Sequence, residues 1–264
     1  MSEKNCKGKT PEDYGFHMPE KKNSFKIDLN EKSSVKKIIG VVSGKGGVGK
    51  SFVTSMLACE MARRGYRVGV LDGDITGPSQ TKAFGIHEKA MGDGKYIYPY
   101  ITKNGIQVIS TNMILDSDET PVIWRGPMVA NILKQFYTDV VWDNVDYMFV
   151  DMPPGTSDVP LTAFQSFPLD GIVVVTSPQE LVSMVVEKAI NMAQSMDIKV
   201  LGLIENMSYV ECPNCNEKIE IFGKSHINEV SEKYGLPVLA KIPMRQTVAA
   251  SADDGTMEDL EIPE

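Results

Sequence analysis

Gly44-Lys45-Gly46-Gly47-Val48-Gly49-Lys50-Ser51 has the spacing GxxxxGK[ST], a pattern suited to holding phosphate. Glycines at these places let successive backbone N–H groups turn toward one anion, and the N-terminus of a following helix adds positive potential. In such a loop Lys50 neutralises the β- and γ-phosphates and the Ser51 hydroxyl ligates Mg²⁺. The segment assigned to ATP or ADP runs through Gly44, Lys45, Gly46, Gly47, Val48, Gly49, Lys50, Ser51 and Phe52. Lys45 cannot share the place of Lys50, so it points away from the loop. On the residues alone it forms a salt bridge at the rim or reaches a phosphate held by a neighbouring subunit, as an arginine finger does.

Hydrolysis of a bound nucleoside triphosphate needs a fixed Mg²⁺ and a water in line with the γ-phosphate. Two acidic groups close predicted strands, where ligands of open α/β sheets bind. Asp151 ends Tyr147-Met148-Phe149-Val150 and is assigned to Mg²⁺, directly or through water. Asp72-Gly73-Asp74 follows Val68-Gly69-Val70-Leu71, and Asp74 is assigned to orienting the attacking water. Together Lys45, Lys50 and Asp74 form the candidate catalytic set.

Cys212-Pro213-Asn214-Cys215 places two thiols on one tight turn. Zinc and iron–sulfur clusters both take four sulfur ligands, and the sequence holds no second pair. A two-fold axis would supply the other two from a second copy. By spacing alone the pair fits half a cluster site, half a structural Cys₄ zinc clasp, or a thiol–disulfide couple. Cys59, among Met56, Leu57 and Met61, is expected to be a buried apolar thiol. His17, His87 and His226 show no ligand spacing.

The elements that must position these groups alternate strand and helix. Ile38–Val42, Arg67–Leu71, Tyr147–Asp151, Gly171–Val175, Lys199–Ile204 and Val238–Ala240 read as strands, and 51–64 and 179–196 as helices, the first closed by Gly65. Such alternation gives an α/β fold with a doubly wound, mostly parallel sheet. Residues 96–110 interrupt it and read as a small inserted edge hairpin turning at Lys103-Asn104-Gly105. Residues 1–34 are polar and aperiodic and read as a disordered tail, leaving 35–264 as one ATPase domain.

The chain has 264 residues and a net charge of −8. That balance disfavours nucleic acid and anionic membranes as partners, and the acidic stretch Asp253 to Glu261 is no membrane anchor. No apolar run is long enough to span a bilayer, and the first residues lack the core of a signal peptide, so a cytoplasmic location is expected.

The loop with its extra Lys45 resembles the deviant Walker A group of P-loop NTPases, which includes MinD, ParA partitioning ATPases, the nitrogenase iron protein and the arsenite-pump ATPase. Asp72-Gly73-Asp74-Ile75-Thr76-Gly77-Pro78-Ser79, Trp124-Arg125-Gly126-Pro127, Asp151 to Thr156, Glu205-Asn206-Met207-Ser208 and Cys212 to Cys215 resemble the Mrp/ApbC family of iron–sulfur cluster carrier ATPases. The match runs from about Val35 to Gly255. The resemblance implies a homodimer in which Lys45 acts across the interface, replacing the rim salt bridge. It implies that Asn206 reads the adenine edge and that Ile242 and Pro243 line the adenosine pocket. It also implies slow ATP hydrolysis tied to holding a [4Fe–4S] cluster between paired Cys212 and Cys215 and passing it, from a cluster donor, to apo-proteins. A nickel or other metallochaperone ATPase has nearly the same parts. Thr76 stands where the family usually has Tyr, and the tail, with only Cys6, lacks the four-cysteine motif of longer relatives.

Overall fold

Runs of β-branched residues with no polar alternation build a sheet buried on both faces. The computed structural model describes residues 27–74, 77–114, 126–155, 160, 161, 164, 165, 167–179 and 181–260. In chain order these give β1 (Val35–Ser43), α1 (Lys50–Arg63), β2 (Val68–Asp72), α2 (Gln80–Ala83), β3 (Met91–Gly92), β4 (Ile97–Tyr98), β5 (Tyr100–Ile101), β6 (Gln107–Ile109) and α3 (Gly126–Thr138). After them come β7 (Val145–Asp151), β8 (Gly171–Thr176), α4 (Leu181–Ser195), β9 (Val200–Glu205), β10 (Val210–Glu211), β11 (Lys218–Ile219), α5 (Ile227–Tyr234), β12 (Val238–Lys241) and α6 (Gln246–Asp253).

Eight strands form one sheet in the order β12-β9-β8-β1-β7-β2-β6-β5. Every neighbouring pair is parallel except β5 with β6. Strands β2 and β8 are buried throughout, as parallel strands covered on both faces must be. From β1 the chain first builds outward through β2 and β6, returns as β7 between β1 and β2, then builds the other way through β8, β9 and β12. The reversal opens a crevice beside the C-terminal end of β1, which is where ligands enter such sheets.

Two expectations change. The predicted edge hairpin exists, with Tyr100 opposite Val108 and Ile101 opposite Gln107. Its second strand, however, also runs parallel beside β2, with Val108 opposite Val70, so β6 is a full member of the sheet rather than an insertion. Its three residues are all buried, which a free edge arm would not be. Residues 27–34, assigned to the tail, pack on the sheet. Asn30 donates from Nδ2 to the carbonyls of Thr138 and Val140, both at 2.8 Å, and Ile27 and Leu29 lie against the core. Cys6 and the rest of the tail, with Ile75, Thr76, Trp124, Arg125 and Thr156, lie outside the described residues.

Candidate functional site

Strand register brings the phosphate loop and the acidic residues together. Val41 pairs with Asp151 across β1 and β7, and Asp151 pairs with Asp72 across β7 and β2. The loop leaves β1 at Ser43 and enters α1 through Gly49, whose φ of 80° is a left-handed turn that favours glycine. A Cβ on Gly49 would also lie 2.1 Å from Nδ2 of Asn206, so side chain and loop are in close contact there.

Lys50 is 5% exposed and is ion-paired with Oδ1 of Asp151, with Oδ2 of Asp74 at 3.8 Å. Asp151 is fully buried; its Oδ1 also accepts from Thr54 at 3.3 Å and its Oδ2 from Nε2 of Gln80 at 2.9 Å. Gln80, itself fully buried, donates from the same nitrogen to the carbonyl of Ser51 at 3.0 Å and accepts from Ser55 at 2.8 Å. Asp72, also fully buried, accepts from the backbone N–H of Asp74 (3.2 Å), Ser79 (3.1 Å) and Gln80 (3.1 Å) and from the Ser110 hydroxyl (3.0 Å). Burial and the neighbouring Asp151 carboxylate push Asp72 well above the usual carboxylate range, against the pull of Lys50 and these hydrogen bonds.

The group of three carboxylates around one lysine is suited to a polyphosphate and its metal. Without nucleotide, Lys50 balances the acidic charge. Among the described residues no cluster of three or more His, Cys, Asp or Glu could hold a metal by itself. A metal at this site would therefore draw ligands from the phosphates, with Ser51 and Asp151 beside it.

Among the described residues Lys45 pairs with no carboxylate. It donates to Oε1 of Gln179 at 2.5 Å, on the loop after β8, so an amide stands where the residues alone suggested a carboxylate. Asn206, at the end of β9, donates from Nδ2 to the carbonyl of Val48 at 3.0 Å. The segment carrying Pro243 runs beside it, since Ile242 donates to the carbonyl of Glu205 at 2.8 Å and Ser208 donates to that of Ile242 at 2.9 Å.

The cysteine pair sits apart from the main sheet on the β10–β11 hairpin, where Glu211 pairs with Lys218. Cys212 is half-buried, Cys215 exposed, and both thiols are free. Backbone N–H groups of Asn214 and Cys215 aimed at Cys212, together with the Cys215 thiol, lower the Cys212 pKa from the ordinary 9.0. Cys59 behaves as its surroundings dictate: burial pushes its thiol up to about 12.

Residues 34–263 match the family described as ParA: NUBPL iron-transfer P-loop NTPase. The chain belongs to that family. An iron-sulfur cluster carrier protein from Clostridium perfringens is 46% identical over 234 residues, covering 86% of this chain and 82% of the relative. One from Methanocaldococcus jannaschii is 43% identical, covering 84% of this chain and 78% of its own length. Among solved structures, a nucleotide-binding protein of Archaeoglobus fulgidus in complex with ADP, with cobalt found, superposes at TM-score 0.78 and 39% identity, covering 86% of this chain and 90% of that one. The cell division ATPase MinD of Pyrococcus furiosus, at TM-score 0.60 and 20% identity, shares the fold.

As a P-loop NTPase of this family, the chain shows a site wider than its motifs. Asp72, Gln80 and Glu205 carry none of the sequence assignments. Asp72 was visible in Asp72-Gly73-Asp74, and only the β2–β7 register shows that it lies beside Asp151. Gln80 belongs to no motif, and its role depends on a helix of four residues.

Proposed function

We propose that this protein is an ATP-binding and ATP-hydrolysing carrier that holds an iron–sulfur cluster as cargo and passes it to apo-proteins. The observation that supports this best is the cysteine hairpin. It offers two free thiols, one with a lowered pKa, on a segment hydrogen-bonded to the same strand end that contacts the phosphate loop. Family membership adds the names of relatives on both sides of that link.

In this reading Lys50 leaves Asp151 for the β- and γ-phosphates, Ser51 and Asp151 face the metal, and Asp74 orients the water for in-line attack. Mg²⁺, when bound, supplies charge neutralisation at the phosphates. Asn206 exchanges its contact with Val48 for the adenine edge, and Ile242 and Pro243 flank the base. Lys45 turns from Gln179 toward the nucleotide of a second copy. The homodimer brings two Cys212–Cys215 pairs together and completes four thiolates for a [4Fe–4S] cluster. One ATPase domain over 35–264 carries both functions, in the cytoplasm, with a cluster donor and apo-protein clients as further partners. No helix among the described residues is long and apolar enough to cross a membrane.

The cobalt found in the Archaeoglobus fulgidus protein supports a second reading, a carrier of another transition metal on the same thiols. Transfer decides between them. Cluster-loaded protein should activate an apo-[4Fe–4S] client, with the yield depending on Mg-ATP and lost in Cys212→Ser/Cys215→Ser. Failure to activate any client, with stoichiometric uptake of zinc, nickel or cobalt, would favour the second.

A further inference from the structure

The chain leaves the sheet at Ser208, builds the cysteine hairpin, and returns at Ser225 just before α5. Both ends of this excursion are held by one side chain. Glu205, 1% exposed at the C-terminal end of β9, accepts the Ser208 hydroxyl on Oε2 at 2.6 Å and the Ser225 hydroxyl on Oε1 at 2.7 Å. Each carboxyl oxygen closes one end, through a short hydrogen bond. The next residue, Asn206, is the one that bonds the phosphate loop at Val48. Between them and Ser208, Met207 has φ 57°, a left-handed conformation that strains a residue with a Cβ.

Further bonds run outward along the excursion. Met244 donates to the carbonyl of Tyr209 at 2.7 Å, Arg245 pairs with Glu211 at 2.8 Å, and Cys212 donates to the carbonyl of Glu217 at 2.9 Å. A small hollow lies against Glu205, bordered by Thr176, Gln179 and His226. Gln179 is also the partner of Lys45.

From this geometry we propose that Glu205 is a positioning residue that couples the two sites: it clamps the base of the cysteine excursion to the strand end that reads the phosphate loop. A nucleotide that takes Asn206 from Val48 moves the corner at Met207. The clamp carries that movement to both ends of the hairpin, and so to Cys212 and Cys215. The cargo in this statement rests on the proposed carrier function, but the coupling does not need a cluster to be observed.

The test is peptide-resolved alkylation of Cys212 and Cys215 in the full chain by a bimane reagent, with and without Mg-ADP at a concentration saturating for each variant. In the wild type, Mg-ADP should slow alkylation by about fivefold or more, the lower end of usual coupling between sites. Ser225→Ala removes one arm of the clamp without touching the buried carboxylate, and should bring the ratio toward one; Ser208→Ala should do the same. Glu205→Gln, whose amide can still accept one hydroxyl and donate to the other, should retain most of the ratio. A simple folding defect would alter the basal rate and leave the ratio in place. A wild-type ratio of one, or a wild-type ratio kept in both serine variants, would overturn the coupling. Loss of cluster binding with the ratio intact would count against the carrier function and not against the clamp.

Discussion

Lys50→Met, in protein free of nucleotide, should be strongly destabilised at pH 8 and measurably less so at pH 5. The side chain is buried and faces Asp151 and Asp74 as a cation, and it also lowers Asp72. Removing one member of a buried ion pair costs about 3–5 kcal/mol, because the partner's charge is left uncompensated. The pH dependence follows from the direction of the Asp72 shift. Its carboxyl is harder to ionise folded than unfolded, where its ordinary value is 3.8, so its contribution to stability is full below that value and is lost as pH rises through the folded pKa. Without Lys50 the folded value rises further, and each additional unit is worth about 1.4 kcal/mol. Wild type, with a folded value of about 7, already regains most of its own share over this range, so a further rise of about one to two units returns only roughly 1–1.4 kcal/mol on going from pH 8 to pH 5, relative to wild type. Urea unfolding followed by circular dichroism at the two pH values, with wild type beside it, measures both numbers. A variant within about 1 kcal/mol of wild type at both pH values would refute the reasoning, since a surface pair costs no more than that.

Gln80→Leu removes three hydrogen bonds and takes the donor from Oδ2 of Asp151, while the Ser55 hydroxyl keeps the Ser51 carbonyl as acceptor at 3.0 Å. Urea unfolding should show a loss of about 1–3 kcal/mol, the cost of one buried group left without its bond, and ATP hydrolysis should require more Mg²⁺ because Asp151 is no longer held on both oxygens. The cysteines should separate by pH. The lowered pKa of Cys212 predicts iodoacetamide reaction with a midpoint below the ordinary 9.0, whereas Cys59, pushed up to about 12, should stay unmodified in folded protein. A shared midpoint near the ordinary value for Cys212 would contradict the role given to the Asn214 and Cys215 N–H groups.

The sheet was legible in the sequence because its central strands are buried on both faces. Gly171-Ile172-Val173-Val174-Val175 has no polar alternation, and no other element makes such a run. The loop was legible for the same local reason: Gly49, where the chain takes a positive φ on entering the helix, is a position where the pattern requires glycine. What depends on register was not legible. Nothing within 72–74 distinguishes Asp72 from Asp74, and only pairing with Asp151 buries the first. Glu205 reads as a strand-ending carboxylate, and its two serine partners lie 3 and 20 residues away. Residues 27–34 looked like tail because composition is an average, and one asparagine with two backbone acceptors offset it. Lys45 shows the limit of a single chain, since the role proposed for it needs a second copy and here it meets Gln179.

The central claim, a carrier whose thiols hold an iron–sulfur cluster between two copies, is tested most directly by anaerobic reconstitution with iron and sulfide. Visible absorption, iron and sulfide analysis and molecular mass would be read together, in wild type and in Cys212→Ser/Cys215→Ser. The account predicts broad charge-transfer absorption, about one four-iron cluster per dimer, and neither cluster nor cluster-dependent dimer in the variant. A full cluster on a monomer, or an equal cluster in the variant, would contradict it.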